Sequence, residues 1–332
     1  MPTVRLKSSM LSEFDLIKHY FQRTRAGHAS TVLGIGDDCA LLQPKAGRQM
    51  AISSDMLVEG RHFFAGADAR MLGHKALAVN LSDLAAMGAR PTAFTLALAL
   101  PEANRDWLAG FSAGLFALAD AHDCELIGGD TTKGPLTICI TIFGDLAPGQ
   151  ALRRDAAQAG DDVWISGTLG DARLALGAYW NEQALTPEQL AQAAPRMHMP
   201  TPRVALGRLL AEGGLAHAAL DISDGLIGDL GHILAASNVG ATLDADALPA
   251  GPVLATQDEV LRRRFTVAGG DDYELCFTAP QQQRAAILAA GQACATPVTR
   301  VGAIDALPGL RWTDRAGNAL DLGLRGWDHF TT

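Results

Sequence analysis

The stretch Gly34-Ile35-Gly36-Asp37-Asp38-Cys39-Ala40 sets adjacent carboxylates among small residues, and Ser53-Ser54-Asp55 and Asn80-Leu81-Ser82-Asp83-Leu84 follow it. Like charges a few ångströms apart raise one another's pKa unless they are hydrated or share a cation. Gly and Asp also form turns for conformational reasons alone, so a single Gly-Asp-Asp reads as a solvated turn. Recurrence changes that reading. Acidic groups return in Gly128-Gly129-Asp130-Thr131, in Asp221-Ile222-Ser223-Asp224-Gly225 and in Gly269-Gly270-Asp271-Asp272. Oxygen-rich donors of this kind suit Mg²⁺. So many carboxylates become tolerable if they share several Mg²⁺ ions that also bind a polyphosphate, and neighbouring glycines let backbone N–H groups approach phosphate closely.

The chain around these motifs has 332 residues, enough for two domains with separate cores. Hydrophobic content of 48% with 19% charged residues describes a globular protein, not a disordered one. A formal charge of −9 argues against a surface built to hold nucleic acid. The five cysteines, Cys39, Cys124, Cys139, Cys276 and Cys294, include no Cys-x-x-Cys pair and read as buried thiols of a reducing compartment. Met1 to Ser9 lacks an apolar h-region, and the longest apolar run, Phe94 to Leu100, is too short to cross a bilayer. A cytoplasmic protein without membrane partners is expected.

Taken in order, Ser12 and Asp15 form a capping-box pattern ahead of a stripe of Phe14, Ile17 and Phe21. Helices are expected over 68–88 and 104–122, the second with Trp107, Phe111, Leu115 and Leu118 on its core face. Strands are expected near 32–35, 40–42, 49–53, 94–100, 125–127 and 136–143, with acidic turns after several of them. Ala147-Pro148-Gly149-Gln150 marks a boundary between domains 1–147 and 151–332. The second half carries an expected strand at 163–165, a helix to about Trp180, an irregular connector over 195–202, a helix after Gly225, a strand at 265–268, a helix over 281–290 and a strand at 298–301. Both halves mix strands and helices, an α/β (α+β) pattern, and ligands in such architectures gather where strands end in loops.

Familiar phosphate motifs are absent from the chain. There is no Gly-x-x-x-x-Gly-Lys-Ser/Thr, and Gly34-x-Gly36 lacks the third glycine of a dinucleotide fingerprint. Arg154, Lys133 and His62 are the cations read with the candidate loops, and an arginine offers phosphate a bidentate fork. No general base stands out, which suits an acceptor that is already ionised, such as a phosphate oxygen.

The acidic motifs, with Ala85-Ala86-Met87-Gly88 after Leu84 and Tyr273-Glu274-Leu275 near the end, stand in an order that resembles the bacterial thiamine-monophosphate kinases of the aminoimidazole ribonucleotide synthetase-like superfamily. That resemblance spans nearly the whole chain. It implies ATP-dependent phosphorylation of thiamine monophosphate to thiamine diphosphate by direct in-line transfer, the last step in making that cofactor. It also implies a two-domain fold whose N-terminal sheet domain binds ATP and Mg²⁺ and forms a homodimer. By matching motif, Asp38, Ser53, Ser54, Asp55, Asp83, Asp130, Asp221 and Asp224 would hold Mg²⁺, and Gly129, Asp130, Arg154 and Ser223 would meet ATP. His62 would contact the substrate phosphate, and Asp271 and Trp327 its organic part, with Asp83, Asp130 and Arg154 closest to the chemistry. Asp271 and Trp327 stand where that family usually carries Glu and often Tyr. Another ATP-using enzyme of the superfamily, or a non-catalytic Mg²⁺ or nucleotide-binding protein, is the alternative.

Overall fold

The computed structural model describes residues 12–23 and 28–326. Two compact units divide the chain: one runs to Gln43 and takes in Ser54–Leu77 and Thr92–Ile142, and the other holds Pro44–Ser53, Ala78–Pro91 and everything from Phe143 on. Among the described residues, no helix is long and apolar enough to cross a membrane.

Ser12 opens a short turn of helix, α1 (Glu13–Leu16), which continues as a π-helical turn to Phe21. The expected cap forms: the Ser12 hydroxyl donates to the Asp15 carboxylate at 2.6 Å, and the Asp15 N–H donates to the Ser12 hydroxyl at 3.2 Å. Strands β1 (Thr31–Leu33) and β2 (Leu41–Leu42) pair antiparallel around the loop that carries Asp38.

Four longer strands, β3 (Gln49–Val58), β4 (Arg90–Leu100), β5 (Glu125–Lys133) and β6 (Thr137–Leu146), form a sheet in the order β3-β6-β4-β5. Alternation sorts its two faces: Phe94, Leu96, Leu98, Ile138, Ile140 and Ile142 are buried, whereas Thr95, Ala97, Cys139 and Thr141 between them are partly or fully open. The two expected helices are present as α2 (Ala69–Met87) and α3 (Arg105–Ala121). Asn104 caps α3 by accepting the Trp107 N–H at 3.0 Å, and Phe111, Leu115 and Leu118 are buried beneath it.

Strand β5 runs further than its sequence suggests, because Gly128-Gly129-Asp130-Thr131 belongs to the sheet and not to a turn. It pairs parallel with β4, Ile127 being an extra residue that shifts the register between Phe94 and Thr95. Gly129 follows at φ +147°, where a Cβ would lie 1.8 Å from the Leu96 carbonyl oxygen. Only glycine fits this approach. Gly129→Ala is therefore expected to cost at least about 2 kcal/mol of stability. The denaturation midpoint checks this, and a midpoint equal to the parent's would show that the strand pair accommodates a methyl group.

The second unit is organised on a seven-stranded sheet of β7 (Asp162–Ser166), β8 (Ala218–Asp221), β9 (Gly240–Asp244), β10 (Leu275–Ala279), β11 (Val298–Asp305), β12 (Gly309–Thr313) and β13 (Ala319–Leu320). The order is β13-β12-β9-β11-β7-β10-β8, antiparallel at every pairing except β9 with β12. Val163, Ile165, Leu220, Leu226, Leu230, Ile233, Val267 and Cys276 belong to its core. The helices after Phe143 are α4 (Asp171–Tyr179), α5 (Pro187–His198), α6 (Val204–Glu212), α7 (Leu226–Ser237), α8 (Glu259–Ala268) and α9 (Arg284–Ala293).

Two expectations fail here for physical reasons. Residues 195–198 end helix α5 and do not belong to a connector: Thr186 and Gln189 form a capping box, Pro187 stands at the first turn, and Pro195 is carried inside. Residues 265–268 end helix α8, not a strand, since Asp258 caps it through the Leu261 N–H at 2.9 Å and packing overrides the local preference of Phe265-Thr266-Val267. The thiols are also less uniformly buried than expected: Cys124 and Cys276 are buried, Cys139 and Cys294 half-buried and Cys39 exposed.

Candidate active site

The acidic motifs do not all sit on loops after strands. Ser53, Ser54 and Asp55 lie in the middle of β3, so alternation places Ser54 on the opposite face from Ser53 and Asp55. Ser53 donates its hydroxyl to the Asp83 carboxylate on α2. Ser54 faces β6, where its hydroxyl lies 3.0 Å from that of Thr141 and donates to the Ile140 carbonyl at 3.2 Å. The structure thus joins Ser53 to Asp83 and directs Ser54 elsewhere. Asp83 is half-buried, one turn after the buried Asn80.

On β5, Gly129 and Asp130 are exposed, and on the loop between β1 and β2 so is Asp38. His62 lies in the turn after β3, where its Nδ1 accepts the Val58 N–H at 3.0 Å. An imidazole nitrogen that accepts carries no proton, so the neutral ring holds its hydrogen on Nε2.

In the second unit, Asp221 closes β8 and is buried, while Ser223 and Asp224 turn into the start of α7. The Asp229 carboxylate, one turn into that helix, accepts the N–H groups of Ser223 and Asp224 at 3.1 Å each and so shapes the loop from below. Burial, with the Asp224 charge beside it, pushes the Asp229 carboxyl up to about 7. Asp271 meets the same loop: its N–H donates to the Ser223 carbonyl at 2.8 Å, and that of Tyr273 to the Ile222 carbonyl at 2.8 Å. Arg154 is exposed on a short 3₁₀ turn, with its carbonyl held by the Ser237 hydroxyl at 2.8 Å. Its neighbour Arg153 is engaged by Asp155 at 2.8 and 2.5 Å. Trp327 lies outside the described residues.

Among the described residues, no group of three or more His, Cys, Asp or Glu side chains stands at metal-ligand spacing. The donors are carboxylates and hydroxyls, with Asp38 and Asp130 open to solvent and Asp55 and Asp224 partly so. This set fits Mg²⁺, which is commonly held by one or two carboxylates, water and substrate phosphates rather than by an all-protein cage. A cavity of about 190 Å³ lined in part by Arg23, His28, Asp120 and Glu125 contains none of the candidate residues.

A buried ionic cluster went unread in the sequence. Glu274, fully buried, accepts from Ser166 at 2.6 Å, from Arg196 at 2.7 Å and from Arg203 at 2.6 and 2.5 Å. Gly167 makes room for it: at φ +54°, its Cβ would stand 2.1 Å from a Glu274 carboxylate oxygen. Tyr273-Glu274-Leu275 is visible in the chain, but its arginine partners are more than sixty residues away, and no local pattern announces them.

Asp272 is also buried, with one oxygen accepting the Gly170 N–H at 2.9 Å and the other without a partner. Burial pushes its carboxyl well above the usual carboxylate range. A folded-state pKa raised in this way means that the native protein holds a proton which the unfolded chain releases from about pH 4 upward, so the contribution to stability falls as pH rises. Asp272→Asn keeps the acceptor for Gly170 and removes the titration. Its urea midpoint is expected to gain on the parent's between pH 5 and pH 8, and a constant difference would refute this.

Comparisons with known proteins agree along the length of the chain. Residues 36–146 match the family model of the AIR synthase related protein, N-terminal domain, and residues 158–314 that of its C-terminal domain. A thiamine-monophosphate kinase of Salmonella typhimurium is 45% identical over 323 residues, covering 96% of this chain and 98% of the relative. The crystal structure of a thiamine-monophosphate kinase from Stenotrophomonas maltophilia superimposes with a TM-score of 0.82 at 49% identity, covering 88% of this chain and 93% of the other. A structure of AaThiL complexed with AMPPCP and TMP matches with a TM-score of 0.75 at 26% identity over 96% of each chain. Two AIR synthase related domains in tandem, and this identity over nearly the full length, place the chain in the thiamine-monophosphate kinase family.

Proposed function

We propose that the protein transfers the terminal phosphoryl group of ATP to thiamine monophosphate, giving thiamine diphosphate and ADP. The observation that carries this reading is the 45% identity to a thiamine-monophosphate kinase across 96% of the chain. The AaThiL complex with AMPPCP and TMP supports a nucleotide and TMP as the two ligands. In the transfer, an ionised oxygen of the acceptor phosphate attacks the γ-phosphorus in line. The bond to the bridging oxygen breaks, and ADP leaves with that electron pair.

The setting of each side chain supports the part proposed for it. Asp83, oriented by the Ser53 hydroxyl, and Asp130, on the glycine-bearing strand β5, are the carboxylates nearest the chemistry. Gly129 presents bare backbone beside Asp130, and Ser223 meets ATP from the loop before α7. Arg154, beside an arginine already engaged by Asp155, directs its fork at phosphate. His62 presents Nε2–H to the acceptor phosphate, because its Nδ1 is occupied by the Val58 N–H. Asp271 and Trp327 contact the organic part of the acceptor. Asp38, Asp55, Asp83, Asp130, Asp221 and Asp224, with Ser53 and Ser54, are the donors for Mg²⁺; Ser54 faces away from Ser53, so its part in such a set is the least direct. When bound, Mg²⁺ neutralises charge on the phosphates during transfer.

Residues 1–147 would serve nucleotide and metal binding and dimerisation, and 151–332 would complete the enzyme. A homodimer is supported by the open face of the four-stranded sheet, where Ile52 is 62% and Met56 54% exposed beside Ser54. Light scattering during gel filtration would test it, a monomer at micromolar concentration counting against it. Five free thiols suit the reducing cytoplasm.

The deciding experiment incubates the purified protein with ATP, Mg²⁺ and thiamine monophosphate, with thiamine and with no acceptor in parallel, and separates the products by chromatography. Thiamine diphosphate formed only from the monophosphate supports both the reaction and the acceptor. ATP consumption without thiamine diphosphate would withdraw the acceptor and, with it, the roles of His62, Asp271 and Trp327.

A further inference from the structure

Residues 271–273 adopt an unusual backbone. Asp271 at φ +66° and Tyr273 at φ +51° are both in the left-handed region, with the buried Asp272 between them. Such residues are strained and persist only where their surroundings over-determine them. Two sets of bonds do so. Toward the 221–224 loop, the N–H groups of Asp271 and Tyr273 are held by the Ser223 and Ile222 carbonyls. On the other side, the Asp272 carboxyl group accepts from the Gly170 N–H, and the Asp272 carbonyl accepts from Nη2 of Arg196 at 3.0 Å. The same nitrogen donates to Glu274 at 2.7 Å, and Arg203 and Ser166 fix Glu274 in turn.

We propose that Arg196, on helix α5, is a positioning residue for the acceptor: it ties the carbonyl of the 271–273 turn to the buried Glu274 and so sets where Asp271 presents its carboxylate. The inference rests on the reading of Asp271 as a contact to the organic part of thiamine monophosphate. Its physical content is a division of labour between two arginines. Arg203 binds Glu274 through two nitrogens and neutralises it, so Glu274 keeps a cation when Arg196 is replaced. Arg196 alone of the pair also reaches the turn carbonyl. Loss of Arg196 leaves that side of the strained turn held by the Gly170 bond to the Asp272 side chain, with its carbonyl released, and a displacement of about 1 Å at a substrate contact is enough to weaken it strongly.

Arg196→Met and Arg196→Lys test this in the full-length enzyme, with Asp271→Ala as the benchmark. For Arg196→Met, the KM for thiamine monophosphate is expected to rise about tenfold or more while that for ATP stays within about twofold. Lysine carries the charge toward Glu274 on a shorter, unforked side chain, so a smaller rise of about threefold is expected from it. A KM for thiamine monophosphate unchanged in a folded Arg196→Met variant, or both KM values rising together, would overturn the proposal. If the methionine variant does not fold, the lysine variant decides, and an unchanged KM there is equally fatal. Asp271→Ala separates the two levels: an unchanged acceptor KM in that variant removes the reading of Asp271, whereas a raised KM there beside an unchanged one in the Arg196 variants removes only the role of Arg196.

Discussion

Asp130→Asn is expected to lower kcat by at least about 100-fold while leaving the protein folded, because the substitution removes one charge and almost no volume at a site proposed to organise charge on transferring phosphate. Asp130 is exposed on β5, so its carboxylate supports no buried partner whose loss would unfold the strand. Asp83→Asn should behave alike for a different reason. The Ser53 hydroxyl donates to that carboxylate, and an asparagine oxygen accepts the same hydrogen bond, so the local structure survives while the charge is lost. In both variants, residual turnover should need more Mg²⁺ than the parent's. Steady-state rates over a Mg²⁺ series, with circular dichroism as the check on folding, would read this out. Full activity, or an unfolded variant, would count against the assignment.

Glu274→Ala is expected to have the largest effect on stability. The guanidinium side chains of Arg196 and Arg203 are only 19% and 15% exposed, and both lose their carboxylate together with the acceptor of the Ser166 hydroxyl. Leaving buried charge without its partner costs about 3–5 kcal/mol. The expected result is a correspondingly lowered urea midpoint. Glu212→Ala is the internal control, since the Arg208–Glu212 pair is 38% and 47% exposed and exposed pairs contribute under about 1 kcal/mol. Equal shifts in the two variants would mean that water reaches the Glu274 cluster and that the burial argument fails.

Local patterns were legible where one short-range rule governs the backbone. Asn104 ahead of the Phe111, Leu115 and Leu118 stripe marks α3, and the Ser12–Asp15 cap marks the first turn, because caps and helical periodicity act within four residues. Elsewhere such rules compete. Phe265-Thr266-Val267 has the composition of a strand yet ends α8, and the prolines after 194 suggest a connector although Pro187 and the Thr186 cap had already started a helix that carries one of them.

By itself the sequence determined the class of the protein, its two-part organisation of strands and helices, and a series of acidic motifs whose order marks the family, because composition and motif order are properties of the chain. Only the tertiary structure decided which of those groups meet. It put Ser53 with Asp83 and turned Ser54 to the other face of the same strand, it made Gly129 a pairing residue in place of a turn residue, and it brought Arg196 and Arg203 to Glu274. Those outcomes depend on strand register and on partners distant in the chain, and a one-residue change of register reverses the face of every side chain.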